Sequence, residues 1–331
     1  MIAMTAPAIG TTPGRIQLDG LERHRNELYG YCYRMLGSGF EAEDAVQETM
    51  LRAWRAGSAF EGRSSLRSWL YSIATNVCLD MLRGRARRAW PIGLGPPSAP
   101  GGPLRWEALP EDVWVWPVAD AAVLPAQGDP AEIAVARETI RLAFVTALQH
   151  LPPRQRAALV LCQVLRFEAA EVARQLDTTA AAVSSALRRA RATLSAVRDG
   201  ERPAEVDDDH AELLARYMDA FERYDIPTLV GLLHEDATQL MPPFPVWLRG
   251  AADIGAFMLG PGSKCHGSRL LPAAANGCPA FGQYRADPGG GHRPWALHVL
   301  EVCAGRVATV HSFLDTDRLF PHFGLPAHLP G

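Results

Sequence analysis

From Leu21 onward, apolar positions recur every three to four residues, the period of a helix with one buried face. "LERHRNELYGYCYRMLGS" sets Leu21, Leu28, Cys32, Met35 and Leu36 on one side. After Gly37–Gly39, "EAEDAVQETMLRAWRA" opens with acids, which favour a helix N-terminus, and repeats Ala45, Val46, Met50 and Trp54 at helical spacing. A loop, "SAFEGRSS", follows. The run "LRSWLYSIATNVCLDMLRGRARR" then predicts one long helix, apolar at Leu66, Leu70, Ile73, Val77 and Met81.

Residues 91–130 break the period. "PIGLGPPSAPGGP" has the composition of a flexible linker, and "RWEALPEDVWVWPVADAAVLP" adds Trp106, Trp114 and Trp116. Three tryptophans in a linker imply either collapse onto a neighbouring domain or a dedicated docking segment. Helical spacing returns over 131–199. "LPPRQRAALVLCQVLRF" starts at a proline pair, "AAEVARQL" is a short helix, "DTT" breaks it, and "AAAVSSALRRARATLSAVR" is a basic helix. Two helices across a tight turn, the second basic, make a helix-turn-helix pattern. From about 205 to 328 the texture is α+β. "HAELLARYMDAFERYD", "IPTLVGLLHEDA" and "AADIGAFM" read as helices, and "TQLMPPFPVWLRG" as a strand interrupted by prolines. "SRLLPAAANG", "CPAFGQYRA", "WALHVLEVCAG" and "RVATVHSFLD" read as strands between turn residues. Residues 1–19 read as a disordered lead.

Charge separates these segments. Residues 20–90 hold 11 Arg against 8 acids, and residues 131–198 hold 10 against 5; residues 201–331 hold 10 basic against 16 acidic side chains. A basic front and an acidic rear suggest nucleic-acid contact by the first and another role for the second. The Arg count alone argues nothing, since 32 of the 33 basic residues are Arg, as a GC-rich genome would produce. Six scattered Cys without a C-x-x-C pair suggest neither a metal site nor a disulfide framework, in keeping with a cytoplasmic protein. The start carries no signal-peptide pattern and no apolar run approaches a membrane span, so no membrane partner is expected.

On "DAVQETMLRAW", Asp44, Gln47 and Glu48 share one helix face, a patch of two carboxylates and an amide suited to an Arg-rich helical partner. The string from "EAEDAVQETMLRAW" to "MLRGRARR" resembles region 2 of the extracytoplasmic-function sigma factors of bacterial RNA polymerase. "LPPRQRAALVLCQVLRFEAAEVARQLDTTAAAVSSALRRARATL" resembles their region 4. The resemblance implies that Asp44, Gln47 and Glu48 bind the β′ clamp, that region 4 meets the β flap, and that Phe60 and Asn76 handle an unstacked base of the minus-ten element. Arg83, Arg85, Arg87 and Arg88 would neutralise phosphates there. At the minus-thirty-five element, Ser184, Ser185 and Arg188 would read base edges, with Arg188 able to fork onto guanine, while Arg189 and Arg191 meet phosphates. Ser184 and Ala186 depart from the basic residues many relatives carry there. Val183 and Leu187 are expected in the core.

The last segment resembles the SnoaL-like cone, and sigma factors with such a fused domain form a recognised subgroup. The fold class expected is therefore multidomain: an all-α region 2 (20–90), a linker (91–130), an all-α region 4 (131–199) and an α+β cone (205–328). Met241, Phe244, Trp247, His298 and His311 are expected to line the cone's pocket or its mouth. His298, His311 and Asp315 would be the candidates for a base if the domain were an enzyme. The reading adopted is a promoter-recognition subunit with core polymerase and promoter DNA as partners, no catalytic residues, no cofactor and no metal. Its cone would act as a regulatory or ligand-sensing module in cis. The alternatives are a small-molecule cyclase or isomerase fused to a DNA-binding front, and a repressor-like binder, which would need no clamp patch.

Overall fold

The computed structural model describes residues 18–57, 60, 64–125, 129–198 and 211–331. The lead expected over 1–19 lies outside these apart from its last two residues. Four helices form the first bundle: α1 (Leu18–Glu22), α2 (Arg25–Leu36), α3 (Gly39–Arg55) and α4 (Leu66–Met81). Ser38 caps α3 and Ser65 caps α4, each side-chain oxygen accepting a backbone N–H of the first turn. Leu28, Met35, Ala45, Val46, Leu70 and Val77 fill the core, as the spacing predicts. Trp54 does not: it is 54% exposed. The expected long fourth helix also ends early, because Gly84 takes a positive φ of 76° and Arg88 is drawn inward.

The linker is ordered against its neighbours. It carries the short helix α5 (Asp120–Val123), and Trp114, Val115 and Trp116 are completely buried. The Trp116 backbone N–H donates to Gly37 O at 2.9 Å, and the Tyr33 hydroxyl donates to Trp116 O at 2.9 Å. Burying such rings removes a large apolar area from water, which holds a segment that composition alone reads as flexible.

The second helical unit comprises α6 (Pro130–Glu138), α7 (Leu142–Gln149), α8 (Pro153–Leu159, running into a π turn at Val160–Val164), α9 (Ala169–Gln175) and α10 (Ala180–Arg198). Between α9 and α10 the chain turns at Asp177, φ 49°, and the Thr179 hydroxyl accepts from Ala182 N–H at 3.2 Å. This is the helix-turn-helix the sequence predicts. Val183 is buried and Leu187 packs against the core.

The last unit is α+β: α11 (Ala211–Glu222), α12 (Ile226–Leu232), β1 (Leu233–Leu240), β2 (Trp247–Arg249), α13 (Ala251–Leu259), β3 (Arg269–Ala275), β4 (Cys278–Ala286), β5 (His292–Cys303), β6 (Arg306–Phe313) and α14 (Thr316–His322). "HEDA" is strand rather than the end of a helix, because β1 pairs in parallel with β6. The six strands run in the order β2-β1-β6-β5-β4-β3. The Pro242–Pro243 bond, in the loop between β1 and β2, is cis.

Strand alternation gives this sheet two buried faces. One carries Phe281, Leu300 and Val310 against Tyr217, Phe221 and Phe257 of α11 and α13. The other carries Leu240, Trp247, Leu297, Val299 and Phe313, and these join one continuous apolar cluster with the first bundle, the linker and the second helical unit.

Candidate functional site

Asp44 and Gln47 are exposed and Glu48 half-buried on α3, where Glu48 pairs with Arg52 at 2.6 Å. Leu51 and Trp54 continue the same face at helical spacing and are exposed too. The structure thus brings the three expected residues together and adds two apolar ones. Sequence reasoning missed these two because Trp54 fits the buried stripe as well as the open one.

Phe60 lies on Trp69 with ring centroids 5.0 Å apart. Asn76 is exposed two turns along α4 from Trp69, hence on the same side of that helix. The four arginines that follow separate. Arg83 is open to solvent, Arg85 pairs with Glu41 at 2.5 Å, and Arg87 stands 3.1 Å from His150 Nδ1. Arg88 corrects the sequence reading, since it is buried and presents no guanidinium to a phosphate. It donates to the carbonyls of Leu36 (2.8 Å), Glu111 (3.1 Å) and Trp114 (2.6 Å) and pairs with Glu41 at 2.6 Å. Its local sequence is that of a solvated helix end; the carbonyls that take it in come from segments distant in the chain.

On α10, Ser184, Arg188, Arg189 and Arg191 are exposed and Ser185 is half-buried. Arg191 donates to Gln163 Oε1 at 2.9 Å. Behind this surface, Gln175 of α9 donates to Ser68 Oγ of α4 at 3.2 Å, so the two helical units touch there.

The five residues expected at one pocket are dispersed. Met241 is part of the core between sheet and helices, and Phe244 meets the linker's Trp106 edge-on at 5.3 Å. Trp247 faces the other way and donates its indole N–H to Gly95 O at 3.0 Å. His298 and His311 lie on opposite faces of the sheet, because His311 pairs with Val299 and not with His298. His311 sits under Trp90, with its Nε2 3.2 Å from Glu301 Oε1. His298 lies inside the cone in a closed relay. Its Nε2 donates to Gln283 Oε1 (2.8 Å), Ser312 Oγ donates to its Nδ1 (3.0 Å), and Gln283 Nε2 donates to Ser268 Oγ (2.9 Å). Burial lowers the His298 pKa to about 4, so the imidazole is neutral at physiological pH. Asp315 stands at the N-cap position of α14 without a side-chain capping bond, 3.7 Å from Arg318, and burial raises its carboxyl pKa.

The residue that ties the units together was not anticipated. Asn276, completely buried in the β3–β4 turn, donates to the Tyr33 hydroxyl and to Ile140 O, both at 2.6 Å, and accepts from Val118 N–H at 2.9 Å. One side chain of the cone therefore contacts α2, the linker and the start of the second helical unit. "NG" between two strands signals a hairpin turn, but nothing local marks its side chain as an interior one.

Residues 21–88 match the family model for sigma-70 region 2, and residues 141–194 match the one for sigma-70 region 4. The extracytoplasmic-function RNA polymerase sigma factor SigG of Mycobacterium tuberculosis is 49% identical over 318 residues, covering 93% of this chain and 83% of its own. SigJ of the same organism is 30% identical over 322 residues, covering 92% of this chain and 93% of its own. The crystal structure of SigJ aligns with 94% of this chain and 100% of its own at a TM-score of 0.60 and 26% identity. Among the described residues no helix is long and apolar enough to cross a membrane.

Proposed function

Since the chain belongs to the extracytoplasmic-function group of RNA polymerase sigma factors, we propose that its fused SnoaL-like domain holds it in a compact, promoter-silent form. Sigma factors bind core RNA polymerase and promoter DNA, and the chain directs transcription initiation in that way. The observation that carries the regulatory reading is the Asn276 joint, through which the cone fastens region 2, linker and region 4 to one another. The two promoter elements lie apart on the duplex, so the two helical units that read them must separate, whereas the Gln175–Ser68 bond holds α9 of the second unit against α4 of the first.

In this reading α3 remains available to the β′ clamp through Asp44, Gln47, Glu48, Leu51 and Trp54, and region 4 is left to meet the β flap. The closed factor engages polymerase first and opens on it. Phe60 and Asn76 then take an unstacked minus-ten base, Arg83, Arg85 and Arg87 meet phosphates, and Ser184, Ser185, Arg188, Arg189 and Arg191 meet the minus-thirty-five duplex. The cone is read as regulatory rather than catalytic: His298, the one imidazole between its sheet and helices among the described residues, has both nitrogens bonded to Gln283 and Ser312. Tethering supplies an effective concentration in the millimolar range, so a weak interface suffices to keep the cone docked.

The test is run-off transcription with core polymerase and either the full chain or a chain ending at residue 204. Higher promoter-specific output from the shorter chain is expected. Unchanged output and unchanged polymerase affinity would sink the regulatory reading.

A further inference from the structure

A second feature lies where the end of region 2, the linker and the start of α8 meet. A cavity of about 130 Å³ is lined there by Glu41, Arg85, Arg87 and Arg88, by Asp112 of the linker, and by Gln149 and Arg156 of region 4, among others. Four guanidiniums against two carboxylates leave a net positive lining, to which Arg88, its donors taken by carbonyls and Glu41, adds charge and no free donor. Two of the four are almost completely buried, Arg88 at 5% and Arg156 at 4% exposure. Arg156 is held by Gln149 Oε1 (2.6 Å) and by the carbonyls of Gln149 and Leu151 (both 3.3 Å). Burial, with a smaller contribution from the charge of Arg88, pushes its pKa down to about 10. Glu41 Oε2 and Arg156 Nε are both buried there without a hydrogen-bond partner.

We propose that this cleft binds inorganic phosphate, which acts as a latch on the closed arrangement. A cavity of this size exceeds what one water needs, so a polyatomic oxyanion has room. Guanidinium groups are the side chains best matched to phosphate oxygens, and here Arg85, Arg87 and the unpartnered Nε of Arg156 would supply the donors. The unpartnered Glu41 oxygen selects within that class: hydrogenphosphate brings an O–H that a carboxylate can accept, and sulfate at neutral pH brings none. Because the lining comes from three segments that must part when the factor opens, the anion favours the form in which they are together. The binding site stands independently of the silent-form reading; the consequence for transcription rests on it.

The test is titration of the full chain, free of DNA, with phosphate at constant ionic strength, followed by calorimetry and thermal melting. Saturable binding with a raised melting temperature is expected. The double variant Arg85→Ala and Arg87→Ala should bind about tenfold or more weakly, and Asp112→Asn more tightly, as expected for hydrogen bonds to a charged group. Arg83→Ala, in the same motif but outside the lining, should bind like the parent, which separates a site from general charge. No response at about 10 mM phosphate, or an equal response to sulfate, overturns the proposal. If phosphate is inert while duplex DNA binds the parent and not the double variant, the cleft is a DNA-backbone contact and the proposal falls. A bound phosphate that leaves run-off unchanged retains the site but rejects the latch, whatever the truncated chain does.

Discussion

Asn276 places its amide nitrogen 2.6 Å from the hydroxyl of Tyr33, 243 residues earlier in the chain, and that hydroxyl in turn donates to Trp116 O. Cone, first bundle and linker thereby share one short chain of buried hydrogen bonds. Replacing Asn276 with Leu leaves Val118 N–H and Ile140 O without partners in the interior, at about 1–3 kcal/mol for each group. The variant should populate an open form, read as a larger radius of gyration in X-ray scattering. An unchanged scattering profile would contradict this role.

Trp116 carries much of the apolar contact beneath the sheet, against Phe40 at 6.0 Å and Phe313 at 6.2 Å between centroids. Trp116→Ala should cost about 3–5 kcal/mol, seen as a lower melting temperature. Trp106→Ala, at a half-exposed ring, should cost much less.

Trp54 and Asp44 point to solvent on α3 and contribute little to the bundle. Asp44→Ala and Trp54→Ala should therefore leave the unfolding free energy within about 0.5 kcal/mol of the parent while weakening core-polymerase affinity. Loss of stability together with affinity would show that the face is structural.

Arg188 and Arg191 stand on the same exposed helix with different expected readouts. Arg188→Ala should cost about 1–3 kcal/mol of promoter affinity and relax one base position. Arg191→Ala should weaken all sequences alike and lower the salt dependence of binding, measured by titration at several salt concentrations.

His298 makes folding depend on pH. Its pKa is depressed to about 4 in the fold, whereas an unfolded chain takes up the proton near 6.5. Between those values the unfolded state binds more protons, so stability rises with pH across that window. The contribution is full above about 6.5 and falls away toward 4, amounting to about 3 kcal/mol. His298→Gln should flatten the dependence of melting temperature between pH 4 and 6.5 relative to the parent. An identical profile in the two proteins would refute the assignment.

The periodic spacing of Leu28, Met35, Val46, Leu70 and Val77 was enough to specify the first bundle, since each helix has a single apolar face and one way to bury it. The break at "DTT" between two short helices likewise announced the helix-turn-helix, because turn residues act locally. Exposure on α3 and α10 followed from the same patterns for Asp44, Gln47 and Arg188. Trp54, Arg88 and the two late histidines could not be placed in that way. Trp54 fits either side of its stripe, and only neighbouring helices reveal which side is covered.

Arg88 depends on carbonyls at Leu36, Glu111 and Trp114, three positions that become neighbours only when the linker has folded back. His298 and His311 are both strand residues in apolar surroundings. Their separation onto opposite faces comes from the β5–β6 register, which a chain of alternating residues leaves open until the strands pair. Asn276 is the clearest case. Local chemistry accounts for a turn at "NG", while its burial against Tyr33, Val118 and Ile140 is a property of three separate segments meeting. Most helices, strands and turns are dictated by residues a few positions apart and were legible from order alone; the exceptions, "HEDA" in β1 and the early end of α4, are set by pairing with β6 and by the inward turn of Arg88. The docking of the cone on the sigma regions required the assembled chain, because its hydrogen bonds join residues more than a hundred positions apart.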